Sequence, residues 1–238
     1  NARNLVTDIA GTTRDSLFTR FEGFGHELVL VDTAGLRKKA KVHEDVEYYS
    51  TNRTIRAIEH CDVAVLMVDA QTGIEAQDLA ILRLIQNQKK GLVILANKWD
   101  LIEKTRNVDR EIIAQIERRI QPLSHVPILL SSVETKHNLV KALDLVAEVA
   151  KERGKQISTA QLNRDMQPII EAFPPPSHRN HFPKIKFMSQ VPAKSPTFLF
   201  FSSHPKFFKE SYTRFLEKQL RKLYGFRGWP ITIVYKQK

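Results

Sequence analysis

Four apolar runs of four to six residues recur along the first two thirds of the chain, and each stops at a short polar string. Leu28-Val29-Leu30-Val31 meets Asp32, and the run from Val63 to Val68 meets Asp69-Ala70. The run from Leu92 to Ala96 meets Asn97, and that from Val126 to Leu130 meets Ser131. Runs that are apolar at every position, rather than at alternate ones, suit parallel strands covered on both faces. Helical spacing fills the intervals: Val46 to His60, Gln77 to Gln88, Val108 to Ile120 and Leu139 to Arg153. Such alternation predicts a doubly wound α/β sheet with right-handed crossovers, in which ligands sit at the carboxyl ends of the strands. The polar strings at those ends are therefore expected to converge in space.

Each string has its own chemistry. Asn97-Lys98-Trp99-Asp100 has the N-K-x-D pattern. A carboxylate at Asp100, held in the plane of a base, accepts from both N1–H and the exocyclic amine of guanine; adenine offers no such donor pair. Asn97 would tether the loop, and the Lys98 stem would lie along the base. Asp32-Thr33-Ala34-Gly35 would hold Mg²⁺ through a water on Asp32, while the Gly35 amide meets a γ-phosphate, a close approach that needs glycine. Thr13, with Thr12 as the alternative register, can ligate the same Mg²⁺ and sense the γ-phosphate. Ser131-Ser132-Val133 would bring a backbone N–H toward the guanine oxygen. Catalytic roles thus fall on Thr13 and Gly35, and metal ligation on Thr13 and Asp32. Leu36 stands where many GTPases place a water-orienting glutamine, and a leucine cannot polarise water. Slow turnover is expected. The string G-x-x-x-x-G-K-[ST] occurs nowhere in the 238 residues. The chain is expected to be N-terminally truncated, with an incomplete site that is inactive alone.

Charge divides the chain unevenly. Residues 1–161 carry 23 Lys and Arg against 22 Asp and Glu, whereas residues 162–238 carry 14 against 4. The last third therefore holds nearly all of the positive field, as expected of a module that meets a phosphate backbone. Gly154 is a plausible residue just past a helix end, and Ser158 or Thr159 suits the N-cap of the next helix, ended by Pro174-Pro175-Pro176. A boundary is placed near residues 154–158, giving domains 1–155 and 156–238. The second reads helix, strand (Lys184 to Val191), strand (Thr197 to Ser202), basic amphipathic helix (Phe207 to Tyr224) and strand (Ile231 to Tyr235), a small α+β sandwich. Its cations, Lys184, Lys186, Arg214, Lys218, Arg221 and Lys222, are candidate RNA contacts, and the last four share one side of the helix. Phe198, Phe200 and Phe215 read as core.

In combination these strings resemble a known family. Asp8-Ile9-Ala10-Gly11-Thr12-Thr13-Arg14-Asp15-Ser16 with Asp32-Thr33-Ala34-Gly35-Leu36-Arg37-Lys38-Lys39 is very similar to the second G domain of the bacterial tandem-domain GTPase family Der (EngA). Phe173-Pro174-Pro175-Pro176, Lys194-Ser195-Pro196-Thr197-Phe198 and Gly225-Phe226-Arg227-Gly228-Trp229-Pro230-Ile231 resemble its C-terminal KH-like domain. The resemblance implies binding and hydrolysis of GTP to GDP with Mg²⁺, and assembly of the large ribosomal subunit through its rRNA. With Leu36 the chain resembles the family's hydrophobic-substituted class, in which other groups or a monovalent cation such as K⁺ serve catalysis. It also implies a first G domain that precedes this chain, and a monomer in the bacterial cytoplasm. Rival readings are an Era-like GTPase and a nucleotide-independent RNA- or ribosome-binding module with a degenerate G domain. Gly225-Phe226-Arg227-Gly228 has the letters of the KH-domain G-x-x-G clamp, but it joins a helix to the last strand and is not read as the clamp. Arg37-Lys38-Lys39-Ala40-Lys41 is a candidate RNA-contact or switching run. The lone Cys61 excludes an internal disulfide and any cysteine-built zinc site. No run of about 18 apolar residues occurs, so no membrane span is expected.

Overall fold

A computed structural model describes residues 18–31, 54–177 and 182–237, which fall into two compact units, residues 1–60 and 61–238. In the first unit, strands β1 (Phe18–Gly23) and β2 (His26–Val31) form an antiparallel hairpin. Its two-residue turn, Phe24-Gly25, has φ of 53° and 79°, the left-handed pair whose twist matches that of the flanking strands. The run from Leu28 to Val31 was expected to be a parallel strand covered on both faces. Its described pairing is instead antiparallel, to β1, and Val29 and Leu30 stay 62% and 46% exposed. A helical segment over residues 54–60 lies within the expected Val46–His60 helix.

The second unit opens on a three-stranded parallel sheet in the order β3 (Val63–Asp69), β4 (Gly91–Asn97), β5 (Ile128–Leu130). Helices α1 (Ala76–Asn87), α2 (Val108–Arg119) and α3 (Leu139–Arg153) alternate with the strands, as the spacing of apolar residues predicts. The central strand carries the core: Val93, Ile94 and Ala96 are fully buried, with α3 packed against it. Being apolar at every position serves β4, which is buried from Gly91 to Ala96. It serves β3 less, because Val65 and Met67 remain exposed. Local sequence signals mark the helix ends. Glu75 and Asp78 exchange backbone bonds as a capping box at the start of α1. Helix α2 carries Asp109 and Glu111 in its first turn and Arg118 and Arg119 in its last, each sign matching the dipole. Gly154 ends α3 at φ −75°, so no left-handed glycine conformation is needed there, contrary to expectation.

Ser158 then caps α4 (Thr159–Ala172) by accepting from the Gln161 amide at 3.2 Å. Strands β6 (Ile185–Val191) and β7 (Thr197–Ser202) pair antiparallel, and β7 pairs parallel with β8 (Thr232–Gln237), leaving β7 central. Between β7 and β8 runs α5 (Glu210–Tyr224), which buries Tyr212, Leu216, Leu220 and Tyr224 at four-residue intervals. These pack with Leu162, Met166, Met188, Phe198 and Phe200 into one apolar core. Phe198 and Phe200 are fully buried and Phe215 packs against that core, so all three are structural as expected.

This core is joined to the parallel sheet by the segment Gly225–Trp229. Trp229 is 1% exposed and sits in the other core, among Val93, Leu95, Ala142, Leu145 and Val149. Its indole Nε1 donates to the Val149 carbonyl at 2.6 Å. The Leu92 amide donates to the Gly228 carbonyl, and the Gly228 amide to the His125 carbonyl, both at 2.8 Å. The G-x-x-G letters therefore form a latch between two packed layers and not a clamp for a ligand.

Candidate functional site

The carboxyl ends of β3, β4 and β5 lie side by side, and their polar strings are bonded to one another. Asp69 and Asn97 are register partners, and the Ala70 amide donates to the Asn97 carbonyl at 2.8 Å. Asn97 Oδ1 accepts from the Val133 amide at 3.1 Å, and the Trp99 amide donates to the Ser131 carbonyl at 3.0 Å. The Ser131 amide in turn donates to the Ala96 carbonyl at 2.8 Å. Asn97 thus ties the Asn97–Asp100 string to the Ser131–Val133 string. Truncating it to alanine leaves the Val133 amide without its partner, at a cost of about 1–3 kcal/mol if that amide stays dry. Asn97→Ala is expected to raise hydrogen exchange at Val133 at least tenfold with little change at α4; equal protection in both proteins would refute the tether.

Lys98 has φ +65°, uncommon for a residue with a side chain. Its Nζ lies 2.6 Å from Asp69 Oδ2, in a pair whose aspartate side chain is 14% exposed. The lysine stem is thus held across the strand ends by Asp69, a residue the sequence reading placed only as a strand terminus. Its one visible signal was that position, the same as that of Asp32. Trp99 starts a short 3₁₀ segment, Trp99–Leu101. The ammonium of Lys104 lies 3.3 Å above the Trp99 ring and also donates to the Trp99 carbonyl. Nothing in the spacing of residues marked Lys104, because a cation over an aromatic face leaves no periodic signature.

Asp100 is exposed and its carboxylate has no partner among the described residues, so it is available to a ligand. Ser131 and Ser132 are buried at 1% and 0% exposure, whereas Val133 is 55% exposed. Ser132 Oγ accepts from the Thr135 amide at 3.1 Å, but Ser131 Oγ is buried with no partner. The exposed Asp100 carboxylate and the buried Ser131 hydroxyl thus lie on two loops bonded to each other. Thr12, Thr13, Asp32, Thr33, Ala34, Gly35, Leu36 and the Arg37–Lys41 run lie outside the described residues. The candidate phosphate and Mg²⁺ ligands are therefore not part of this geometry, and no cluster of metal-ligating side chains occurs among the described residues.

The candidate RNA residues divide. Lys218, Arg221 and Lys222 line one cavity with Arg227, whereas the exposed Lys184, just before β6, and Lys186, on it, do not line it, nor does Arg214. Arg214 is paired with Glu210 one turn away. Arg221 is turned inward, its side chain 14% exposed. It donates to Glu217 Oε1 at 2.8 Å and to the carbonyls of Phe226 and Trp229 at 2.9 and 2.8 Å. It is a strut of the latch, which helical spacing alone could not separate from a solvent-facing cation.

Beside Arg221, burial and then the guanidinium charge push the His125 pKa down to about 3. An unfolded chain takes up a proton there near pH 6.5, whereas the folded protein does not. Below pH 6.5 the unfolded state therefore binds more protons, and stability falls as pH drops toward 3, by up to about 1.4 kcal/mol per pH unit. His125→Gln is expected to flatten that slope in urea titrations between pH 6.5 and 4.5; an unchanged slope would refute the assignment. Cys61 is half-buried, and burial raises its thiol pKa, consistent with a structural rather than a reactive cysteine. No helix among the described residues is long and apolar enough to cross a membrane.

Residues 1–98 match a family model described as a 50S ribosome-binding GTPase. Residues 156–236 match one described as the C-terminal KH-domain-like region of EngA bacterial GTPase enzymes. GTPase Der of Bacteroides thetaiotaomicron is 50% identical over 238 residues, covering 99% of this chain and 54% of that protein. GTPase Der of Flavobacterium johnsoniae is 47% identical over 236 residues, with 99% and 54% covered. The chain thus spans about half the length of the relatives it matches. Among solved structures, Era of Aquifex aeolicus bound to GDP and AlF4⁻ is 18% identical with a TM-score of 0.47, covering 98% of this chain and 84% of that one.

Proposed function

We propose, for a chain that belongs to the Der (EngA) family of GTPases, that it binds guanine nucleotide and hydrolyses GTP in assembly of the large ribosomal subunit. The observation that carries this reading is the bonded pair of loops, Asn97–Asp100 and Ser131–Val133, at the carboxyl edge of a parallel sheet. Asp100 selects guanine by accepting two of its N–H groups, Asn97 holds the two loops in register, and Lys98 covers the base. Residues 1–155 form the GTPase domain and residues 156–238 the KH-like one. In that reading Thr13 and Asp32 would hold Mg²⁺, which would supply charge neutralisation for the phosphates. Gly35 lets the backbone approach the γ-phosphate, and Leu36 leaves water unoriented, which calls on a monovalent cation such as K⁺ for the developing charge. The basic helix α5 meets rRNA.

The test is co-sedimentation of the natural full-length protein with large ribosomal subunits, comparing a non-hydrolysable GTP analogue with GDP. Stronger binding with the analogue supports a nucleotide-gated assembly factor acting in the bacterial cytoplasm. Equal binding in both states favours a constitutive RNA-binding module, and no binding removes the ribosomal reading.

A further inference from the structure

A cavity of about 500 Å³ opens where the C-terminal end of α5 faces α2 and the segment from Ser124 to Ile128. Its walls are of two kinds. One side is apolar, formed by Ile113, Val126, Pro127 and Ile128, and the other presents Lys218 and Lys222. These two lysines are exposed, stand one helical turn apart on α5, and have no ion-pair partner among the described residues. Arg227, also at the rim, is already paired with Glu148 at 3.2 Å, and Arg221 is spent on the latch. The free positive charge of the cavity is therefore that of two lysines whose Cβ atoms stand about 6 Å apart. Glu117 is the one carboxylate on the lining. His125 also lines it, and burial keeps its imidazole neutral, with one ring nitrogen able to donate and the other to accept.

We propose that this cavity seats one unpaired nucleotide of a single-stranded RNA, its base against Val126, Pro127 and Ile128 and its phosphates on Lys218 and Lys222. The inference rests on the RNA-contact reading above and deepens it, since half of the site comes from the sheet-and-helix layer that carries the guanine strings. An apolar wall beside free cations matches the two halves of a nucleotide, and a base still paired in a duplex cannot turn into such a hollow. The neutral His125 edge offers hydrogen bonds to a base without adding charge. The strong positive balance of residues 162–238 favours a polyanion over an acidic peptide that would bring only isolated carboxylates. The latch at Gly225–Trp229 holds the two walls at fixed separation, so the cavity is built before a ligand arrives.

The test is fluorescence anisotropy with a labelled single-stranded RNA of mixed sequence, and with its blunt duplex, across a KCl series. Ser124→Trp fills the mouth from an exposed position without changing charge. It is expected to weaken single-strand binding about tenfold or more and duplex binding less than twofold. Lys218→Ala with Lys222→Ala is expected to lower the slope of log affinity against log salt by about 1.4, two single-strand phosphate contacts. Lys184→Ala with Lys186→Ala, outside the cavity, serves as the control. Full single-strand affinity in Ser124→Trp and in the Lys218/Lys222 variant, with loss in the control, would overturn the cavity and leave RNA binding standing. No affinity of the unsubstituted protein for either RNA would overturn both and point to a protein partner. A folding defect in Ser124→Trp, seen by circular dichroism, passes the decision to the lysine pair.

Discussion

Trp229→Ala is expected to lower the unfolding free energy by about 3–5 kcal/mol, the usual cost of truncating a large buried aromatic. The site has little room to relax. Trp229 is 1% exposed, packs among five residues of the parallel-sheet core, and spends its indole N–H on the Val149 carbonyl. A methyl group in its place removes the indole bond to that carbonyl and leaves a void between β4 and α3. The neighbouring glycines are matched to the ring and the crossing. A Cβ at Gly91 would lie 3.0 Å from the indole, and one at Gly228, where φ is +75°, would lie 2.7 Å from Val149 and 2.9 Å from the Leu92 carbonyl oxygen. Gly228→Ala therefore combines left-handed strain of about 1–2 kcal/mol with overpacking of about 1–3 kcal/mol. The latch joins two separate apolar cores, so losing it is also expected to split a single urea transition into two. Melting followed by tryptophan fluorescence and by far-ultraviolet circular dichroism reads both effects. A loss below about 1 kcal/mol with coincident transitions would show that the latch contributes little.

Asp100→Asn is expected to weaken GDP binding at least about 100-fold, roughly 2.7 kcal/mol, and to raise affinity for xanthosine diphosphate. In the proposed site the carboxylate would accept two N–H groups from guanine. An amide turns one of those acceptors into a donor, which opposes guanine and suits the oxygen that xanthine carries instead. Asp100 is exposed on a short 3₁₀ segment with no described partner, so the substitution should leave stability within about 0.5 kcal/mol. A change in nucleotide preference without a change in melting temperature is therefore the signature. Unchanged GDP affinity, measured by titration of a fluorescent analogue, would remove Asp100 from the site and with it the guanine reading.

Most of the element boundaries were legible in the residues. The expected helix from Leu139 to Arg153 and strand from Thr197 to Ser202 match the structure residue for residue, the helix through the period that one-sided burial leaves and the strand as a short apolar and aromatic run. Asn97 and Ser131 could be placed at strand ends because an apolar run stopping at a polar residue marks where a buried strand leaves the sheet. The errors share one origin. Leu28–Val31 looks like a buried parallel strand, yet its described partner is the hairpin strand β1, and strand partners are chosen by contacts remote in sequence. Arg221 has the same helical phase as its exposed neighbours, but two carbonyls beyond the helix end draw it inward.

The sequence by itself determined the order of strands and helices, the division between a near-neutral first part and a basic last third, and the strings suited to a guanine base. These are local properties, set by the spacing of apolar residues and by side-chain chemistry. Only the tertiary structure decided that Asn97 bonds the Val133 amide, that Asp69 holds Lys98, and that Gly225–Trp229 is a latch. Each depends on surfaces that meet from far along the chain: 29 residues apart for Asp69 and Lys98, 36 for Asn97 and Val133, and 80 for Trp229 and Val149. The period of a strand or helix says which face is apolar, but only packing says what that face is buried against.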